Sequence, residues 1–298
     1  MRPDYFIAGF YKCGTTTLYD VLKQHKDIVV SKEKENDFFM DEKLYGKGIK
    51  WYEDRYYGDL QKSDGQVVME INPHLTGRKG TAERMKRYYP YGTKILFVMR
   101  DPVKMFYSHF RFTLQLGMMP LDTTCYTVRY GFSKAFDRYL RRSPYAYKEY
   151  EHHYSEQLEE YIKCFGRENV HCMFLEDMQK DISAFYLELY DFFGLRSDDH
   201  IDLNVHSNET NAMPTNVIML KTYAMFRKWR RSGPECIWEG ESPFLDKIQE
   251  HLYRVYDKSI VMDQNMSRRT EKKLHRRFDN EKRRIELITE CRLDDRWW

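Results

Sequence analysis

Lys12, Thr15, Thr16 and Thr17 stand in the stretch YFIAGFYKCGTTTLYDVLKQH (Tyr5–His25), which reads as a strand, a turn and an amphipathic helix. A turn that opens a helix aims backbone N–H groups and partial positive charge at whatever lies above it. Gly9 and Gly14 permit close backbone approach, Lys12 adds a full charge, and the three threonines add hydroxyl donors. The chemistry this points to is phosphate binding. In nucleoside-triphosphate loops the pattern is G-x-x-x-x-G-K-[ST], and the hydroxyl after the lysine holds Mg²⁺. Here Thr15 takes the lysine position and Lys12 precedes Gly14. The apolar run Lys94–Met99 leads into Arg100-Asp101-Pro102, an arginine first rather than a metal-binding aspartate. The loop therefore suits a phosphate ligand with no obligatory metal, and no metal site is expected. Read alone, it is equally an ordinary strand-to-helix turn with a capping threonine.

Arg100 and Ser108 form a second constellation in KILFVMRDPVKMFYSHF (Lys94–Phe110). Ligands of open α/β sheets bind beyond the carboxyl ends of strands. Arg100 stands at such an end, and Ser108 follows two helical turns later. A guanidinium and a hydroxyl converging there make a phosphate clamp. Taken singly, Arg100 pairing with Asp101 and Ser108 merely packing explains the stretch as well. Two such stretches in one chain favour two phosphate sites in one crevice.

The elements that must position these residues alternate. Apolar β-rich runs at Tyr5–Ala8, Val67–Glu70, Lys94–Met99 and Val170–Phe174 are separated by helical patterns at Thr16–Gln24, Thr81–Tyr88 and Tyr154–Phe165. This is an α/β chain with a central parallel sheet flanked by helices. Ile182–Phe193 is helical and stops at Gly194; Thr270–Glu290 reads as a charged final helix. Between Asn204 and Met266 the pattern is harder to read, with RRSGPE (Arg230–Glu235) as a loop. No repeat or low-complexity linker breaks the 298 residues, so one domain spanning 1–298 is expected. With 42% hydrophobic and 16% aromatic residues the chain buries a substantial core. Its net charge of +3, from 49 basic and 46 acidic residues, argues against a dedicated nucleic-acid binder.

No apolar run is long enough to cross a bilayer, and, with the loop so near Met1, no signal peptide is expected in these residues. The chain is expected to be soluble throughout or the catalytic part of something longer. Six cysteines (Cys13, Cys125, Cys164, Cys172, Cys236 and Cys291) form no CxxC pair, which disfavours zinc and leaves buried free thiols as the expectation. Two glycosylation sequons, Asn208-Glu209-Thr210 and Asn265-Met266-Ser267, matter only in a secretory compartment.

The pair Y-K-C-G-T-T and R-D-P-x-x-x-x-Y-S resembles the sulfotransferases that use 3′-phosphoadenosine 5′-phosphosulfate (PAPS). The resemblance implies a P-loop-like sulfotransferase fold. It places Lys12, Cys13, Gly14, Thr15, Thr16 and Thr17 on the 5′-phosphosulfate and Arg100 and Ser108 on the 3′-phosphate. KENDFF (Lys34–Phe39) is similar to the K-E-P-H-F-F segment of glycosaminoglycan sulfotransferases, whose glutamate is the catalytic base; this maps to Glu35. MEINPHL (Met69–Leu75), FLEDM (Phe174–Met178) with Asp181 and FFGL (Phe192–Leu195), and the tail Phe278–Trp297 match further family segments. The spacing of the first loop leans toward chondroitin-type enzymes. The implied partner is a hydroxyl-bearing acceptor, a glycan, with no nucleic acid. The implied compartment is the Golgi lumen for a fragment of a longer chain, and the cytoplasm otherwise.

Three departures stand out. Pro-His of the base segment is Asn36-Asp37, the lysine of E-K-S-P is Ile71, and the K-x-K-G-R loop has no clear counterpart beyond Arg268 and Arg269. Without the resemblance, Glu35 reads as a solvated charge in SKEKEND (Ser31–Asp37). Glu70 and His74 are candidates to line the acceptor side, although a histidine such as His74 is more often an exposed loop residue. Cys13 reads as a small packed residue. The alternatives are a P-loop kinase acting on a small molecule, a sulfotransferase acting on a non-carbohydrate acceptor, and a non-catalytic nucleotide-binding module.

Overall fold

Five short strands, each too apolar to face water, organise the chain. The structure is a computed structural model and describes residues 1–31, 33–89, 92–143, 146, 153–198, 200–203, 212–214, 216–232, 242–256, 259–261 and 265–298. Its elements run β1 (Tyr5–Gly9), α1 (Thr15–Leu22), β2 (Ile28–Val30), α2 (Glu42–Tyr45), α3 (Ile49–Tyr57), β3 (Val67–Ile71), a 3₁₀ turn (Pro73–Thr76), α4 (Thr81–Lys86), β4 (Ile95–Met99) and α5 (Pro102–Gln115). They continue with α6 (Leu121–Tyr130), α7 (Phe132–Arg142), α8 (His153–Phe165), β5 (Val170–Phe174), α9 (Leu175–Lys180), α10 (Ile182–Phe193), β6 (Ala212–Pro214), α11 (Val217–Ser232), α12 (Pro243–Tyr256), β7 (Ser259–Val261) and α13 (Arg268–Thr289).

Chain packing divides these elements into two units. The first comprises Met1–Met105, Glu149–Asn208 and Arg277–Trp298; the second comprises Phe106–Lys148 and Glu209–Arg276. The first unit holds a five-stranded sheet in the order β2-β3-β1-β4-β5, every pair parallel. Parallel strands covered on both faces read as continuous apolar runs, and ILFVM of β4 is buried at all five positions. From β1 the chain crosses to β2 and β3 on one side, then to β4 on the other. That reversal puts the carboxyl end of β1 at the topological switch point, where such sheets bind ligands. The β1–β4 register shifts between Ile7 and Gly9, where the first loop begins.

The sequence places four of these strands within a residue or so. It misses β2, an edge strand of three residues. Ile28–Val30 is too short for any periodicity and is recognisable only by its pairing with Val67–Met69. The stop at Gly194 is as expected: it caps α10 at φ 72, and its N–H donates to Asp191 O.

The second unit is helical with one small antiparallel pair, β6 with β7. Its core stacks Phe136 against Phe106, Tyr107 and Phe110 at ring separations of 5.0–5.2 Å. Of the expected RRSGPE loop, Arg230 to Ser232 belong to α11, and Gly233 to Glu235 lie outside the described residues, as do Cys236 and the sequon at Asn208. Among the described residues Cys13, Cys125, Cys164, Cys172 and Cys291 are free thiols, and no helix is long and apolar enough to cross a membrane.

Candidate active site

The loop after β1 is shaped by its backbone. A Cβ on Gly9 would lie 3.0 Å from Thr76 Cγ2 and 3.3 Å from Phe97 Cδ1, so β1 ends on the residue that fits there. Phe10 N donates to Val98 O at 2.7 Å and ties the loop to β4. Lys12 (φ 61) and Gly14 (φ 85) are both left-handed, on either side of Cys13. A side chain at Gly14 would also meet Leu175 Cδ1 at 2.9 Å. Cys13 faces inward: its thiol is buried, 3.6 Å from Tyr154 Oη, and its N–H donates to Phe10 O. Burial pushes that thiol up to about 12, which fits a packed anchor and not a nucleophile.

α1 then opens at Thr15 with glycine at its cap, so no capping side chain covers its N-terminus. The first N–H groups of a helix have no partner within the helix, and the dipole makes this end positive. Thr15 is buried, whereas Thr16 and Thr17 are half-buried.

The segment after β2 is shaped by side chains. Tyr19 Oη donates to Ser31 O at 3.1 Å, Ser31 Oγ donates to Glu33 O at 2.7 Å, and Glu33 pairs with Arg55 at 2.6 Å. At the other end Asn36 is buried. Its Nδ2 donates to Glu70 Oε1 at 3.0 Å, and its carbonyl accepts from Asn72 Nδ2 at 2.7 Å. Asn72 Nδ2 also reaches Glu70 Oε1 at 2.8 Å, while the hydroxyls of Tyr57 (2.7 Å) and Tyr52 donate to Glu70 Oε2. Burial, reinforced by the Glu70 charge, holds both tyrosines well above their ordinary range, so they remain neutral donors. Glu70 is thus a buried acid, 1% exposed, satisfied by four side chains. It anchors the segment and does not line an acceptor surface.

Between these anchors the chain bulges outward. Lys34 Nζ donates to Thr16 Oγ1 and lies 3.0 Å from Glu35 Oε1. Glu35 Oε2 is 3.7 Å from His74 Nε2, and His74 Nδ1 is paired with Asp37 Oδ1. The Tyr11 ring lies 5.3 Å from the His74 ring. Burial, then the charges of Asp37 and Glu35, push the Tyr11 hydroxyl far up. Glu35 keeps 37% of its side chain exposed and has φ 64. Non-glycine residues in this left-handed region cost about 1–3 kcal/mol each and gather at functional sites. Among the described residues there are three, Lys12, Glu35 and Glu290, and the first two flank this cluster.

The departures from the family pattern resolve here. Asp37 holds the place of the family's histidine, and an imidazole arrives instead from the loop after β3, as His74. Ile71 is buried where a lysine was expected, and the cation beside Glu35 is Lys34. The sequence marks neither the contact of Lys34 with Thr16 nor that of His74 with Glu35, because each joins residues that follow different strands.

At the end of β4, Arg100 Nη1 makes a long 3.5 Å contact with Lys12 O, which links the two motifs. Asp101 caps α5 by accepting from Val103 N at 2.8 Å and Lys104 N at 3.3 Å. Glu176, at the end of β5, accepts from Asp101 N at 3.0 Å. Burial raises the pKa of its carboxyl. Ser108 is half-buried on α5, beyond the unit boundary, and Arg268 and Arg269 begin α13 as exposed residues. The first unit therefore brings together Lys12, Thr16, Glu35 and Arg100, and adds Lys34, His74 and Asp37.

The architecture is that of sulfotransferases. A sulfotransferase from Alicyclobacillus acidocaldarius has the same fold, with a TM-score of 0.60 at 21% identity over 99% of this chain and 98% of that one. Residues 2–270 match the sulfotransferase domain family, and the chain belongs to it. It is similar to the membrane-associated sulfotransferase kil1 of Dictyostelium discoideum (27% identical over 113 residues, 38% of this chain and 23% of that protein). It is also similar to heparan sulfate glucosamine 3-O-sulfotransferase 5 of Homo sapiens (30% over 100 residues, 34% and 28%). The matches span about a quarter of the length of these curated relatives.

Proposed function

We propose that this chain transfers a sulfuryl group from PAPS to an acceptor hydroxyl, with Glu35 as the base. The observation that carries the proposal is the occurrence of two left-handed non-glycine residues, Lys12 and Glu35, after β1 and β2, the strands on either side of β3. The Lys34 ammonium spans from Glu35 to Thr16 at the start of α1. One end of this arrangement is built for an anionic leaving group and the other for a proton.

Glu35 accepts the acceptor's proton as its oxygen bonds to sulfur. The bond from sulfur to the bridging oxygen of the 5′-phosphate breaks, and adenosine 3′,5′-bisphosphate leaves with that electron pair. Lys12 and the N-terminus of α1 meet the charge that develops there, a contact stronger in the transition state than before it. His74, itself oriented by Asp37, lies beside Glu35 and holds its carboxylate in place. Arg100 is proposed for the 3′-phosphate, with Ser108 as the hydroxyl partner that the motif implies. Cys13 serves from inside the loop. The residues fit PAPS: a glycine-capped helix start, a lysine on the loop before it and an arginine at the end of β4 that reaches that loop make an anion cradle.

For the acceptor we propose a carbohydrate hydroxyl. The Lys34–Phe39 segment supports this, and the human relative is named for a glucosamine residue. The chondroitin-like spacing of the first loop and the heparan name of that relative differ, so the proposal stays at carbohydrate. The whole of 1–298 is taken as one sulfotransferase domain, consistent with a family match that runs through both units. A Golgi compartment belongs to the same proposal if a longer chain carries this one there.

The deciding experiment incubates the protein with PAPS or with Mg-ATP, plus a panel of glycans, phenols and small alcohols. Release of adenosine 3′,5′-bisphosphate with a labelled glycan is expected. ADP as product instead would establish the kinase reading, and labelled phenols alone would remove the carbohydrate.

A further inference from the structure

We propose that the outer face of α11 docks the second unit onto an anionic lipid bilayer. The inference is independent of the transfer reaction. α11 carries VIMLKTYAMFRKWRRS, with five cations and no acid. Ile218, Thr222, Met225 and Trp229 recur at spacings of four, three and four, which puts them on one stripe. Ile218 is 78%, Met225 72% and Trp229 56% exposed. Thr222 does not make the stripe polar, since its hydroxyl donates to Ile218 O at 3.1 Å.

The opposite side of the helix is fully committed. Leu220 and Tyr223 are buried. Lys221 Nζ donates to Gly117 O at 2.8 Å and to Met119 O, while Arg230 donates to Asp246 Oδ1 at 2.8 Å and Gln249 Oε1 at 3.0 Å. The helix is thus pinned with its apolar stripe outward. Met118 and Leu121 at the turn that Lys221 holds, and Phe244 on α12, are exposed elsewhere in the same unit. Of the ten large hydrophobic residues exposed among the described residues, seven belong to this unit, and those on α11 form one stripe of the kind that marks an interaction surface.

Charge selects the occupant. The second unit carries 20 Lys and Arg against 11 Asp and Glu, while the first carries 29 against 35. A second copy of this face would oppose one net-positive surface with another. A polyanionic glycan would satisfy the charge but would leave isoleucine, methionine and tryptophan without a counterpart. A bilayer of anionic headgroups takes both. Apolar side chains enter the acyl boundary, Trp229 sits at the interface, and exposed Lys228 beside it extends to the phosphates.

Flotation with vesicles tests this. Wild-type protein is expected to float with phosphatidylcholine vesicles containing phosphatidylserine and to remain behind with phosphatidylcholine alone, and added salt is expected to weaken the binding. Ile218→Ser, Met225→Ser and Trp229→Ser combined should lower partitioning about tenfold or more. Lys228→Glu alone should reduce it while leaving the stripe intact. Circular dichroism and the melting temperature show that these surface variants remain folded. Three results overturn the proposal: binding that ignores phosphatidylserine, full binding by the triple variant, or a wild-type dimer that the triple variant turns into a monomer.

Discussion

The loop at Tyr11–Thr17 follows β1, the segment at Ser31–Asp37 follows β2 on the other side of β3, and the two are held by opposite means. The loop is built from backbone: two glycines where side chains would collide, a left-handed Lys12, and a thiol turned into the core. The segment is built from side chains, with Asn36 and Asn72 gripping a buried Glu70 that two tyrosines complete. An anion accepts from many N–H groups at once, and a rigid main chain presents them at no cost in side-chain entropy. A proton acceptor must be a particular carboxylate at a particular place, and that calls for a buried frame behind it.

The largest effect expected separates the two carboxylates of the segment. Glu35→Gln should lower turnover by roughly two to four orders of magnitude with donor affinity nearly unchanged, and the acidic limb of the rate profile should vanish. Asp37→Asn, which loosens His74, should cost less. A silent Glu35→Gln beside an inactive Asp37→Asn would move the base to Asp37, and two silent variants would remove the base from the segment.

On the loop, Lys12→Ala should cut turnover at least ~100-fold, because a charge contact of the transition state is lost. Donor affinity should fall less, since the helix N-terminus remains; wild-type turnover in this variant would sink the loop assignment.

Arg100→Ala sharpens the nucleotide side. Calorimetry should show binding of adenosine 3′,5′-bisphosphate weakened by about 2–3 kcal/mol. Adenosine 5′-phosphate, which lacks the 3′ group, should be hardly affected. Equal losses for both would argue against a 3′-specific role.

The contrast between backbone and side-chain construction has its own test. Gly14→Ala meets a positive φ and a close neighbour, so it should cost about 1–3 kcal/mol of stability and depress donor binding. Asn36→Ala should cost a similar 1–3 kcal/mol or so by leaving Glu70 short of a donor, and it should depress turnover while sparing donor affinity. Identical kinetic signatures from the two variants would erase the distinction.

The smallest effect is a pH dependence on the loop side. His153 packs 5.3 Å from the Phe10 ring, and burial lowers its pKa to about 4. The unfolded chain therefore binds this proton from about pH 6.5 downward while the folded chain does not. Stability is lost as pH falls from about 6.5 toward about 4, and His153→Gln should flatten that limb in denaturant titrations. An unchanged limb would mean that His153 is not its source.

Much of the site was legible before any coordinates. Lys12, Gly14 and Arg100 are local statements, since each occupies a turn directly after a strand whose apolar run announces it. Glu35 was legible only through its likeness to a family segment, because β2 before it is three residues long. The contacts of Lys34 with Thr16 and of His74 with Glu35 were illegible. His74 stands 39 positions from Glu35 in the chain and meets it only through the parallel pairing of β2 with β3.

The sequence by itself determined the strand runs, the glycines of the first loop and the arginine that ends β4, because dihedral preference and hydrophobic period act within a few residues. Only the tertiary structure decided how each acid is held. By residue type and charge Glu35, Asp37 and Glu70 are equivalent, and likeness to a family segment alone singles out Glu35. Glu70 falls on the central part of the sheet, where burial demands four donors, and Asp37 falls against His74. Glu35 is carried outward on a left-handed turn and Asp37 stays partly exposed beside it, because strand pairing, and no property of the residue, sets which carboxylate is buried.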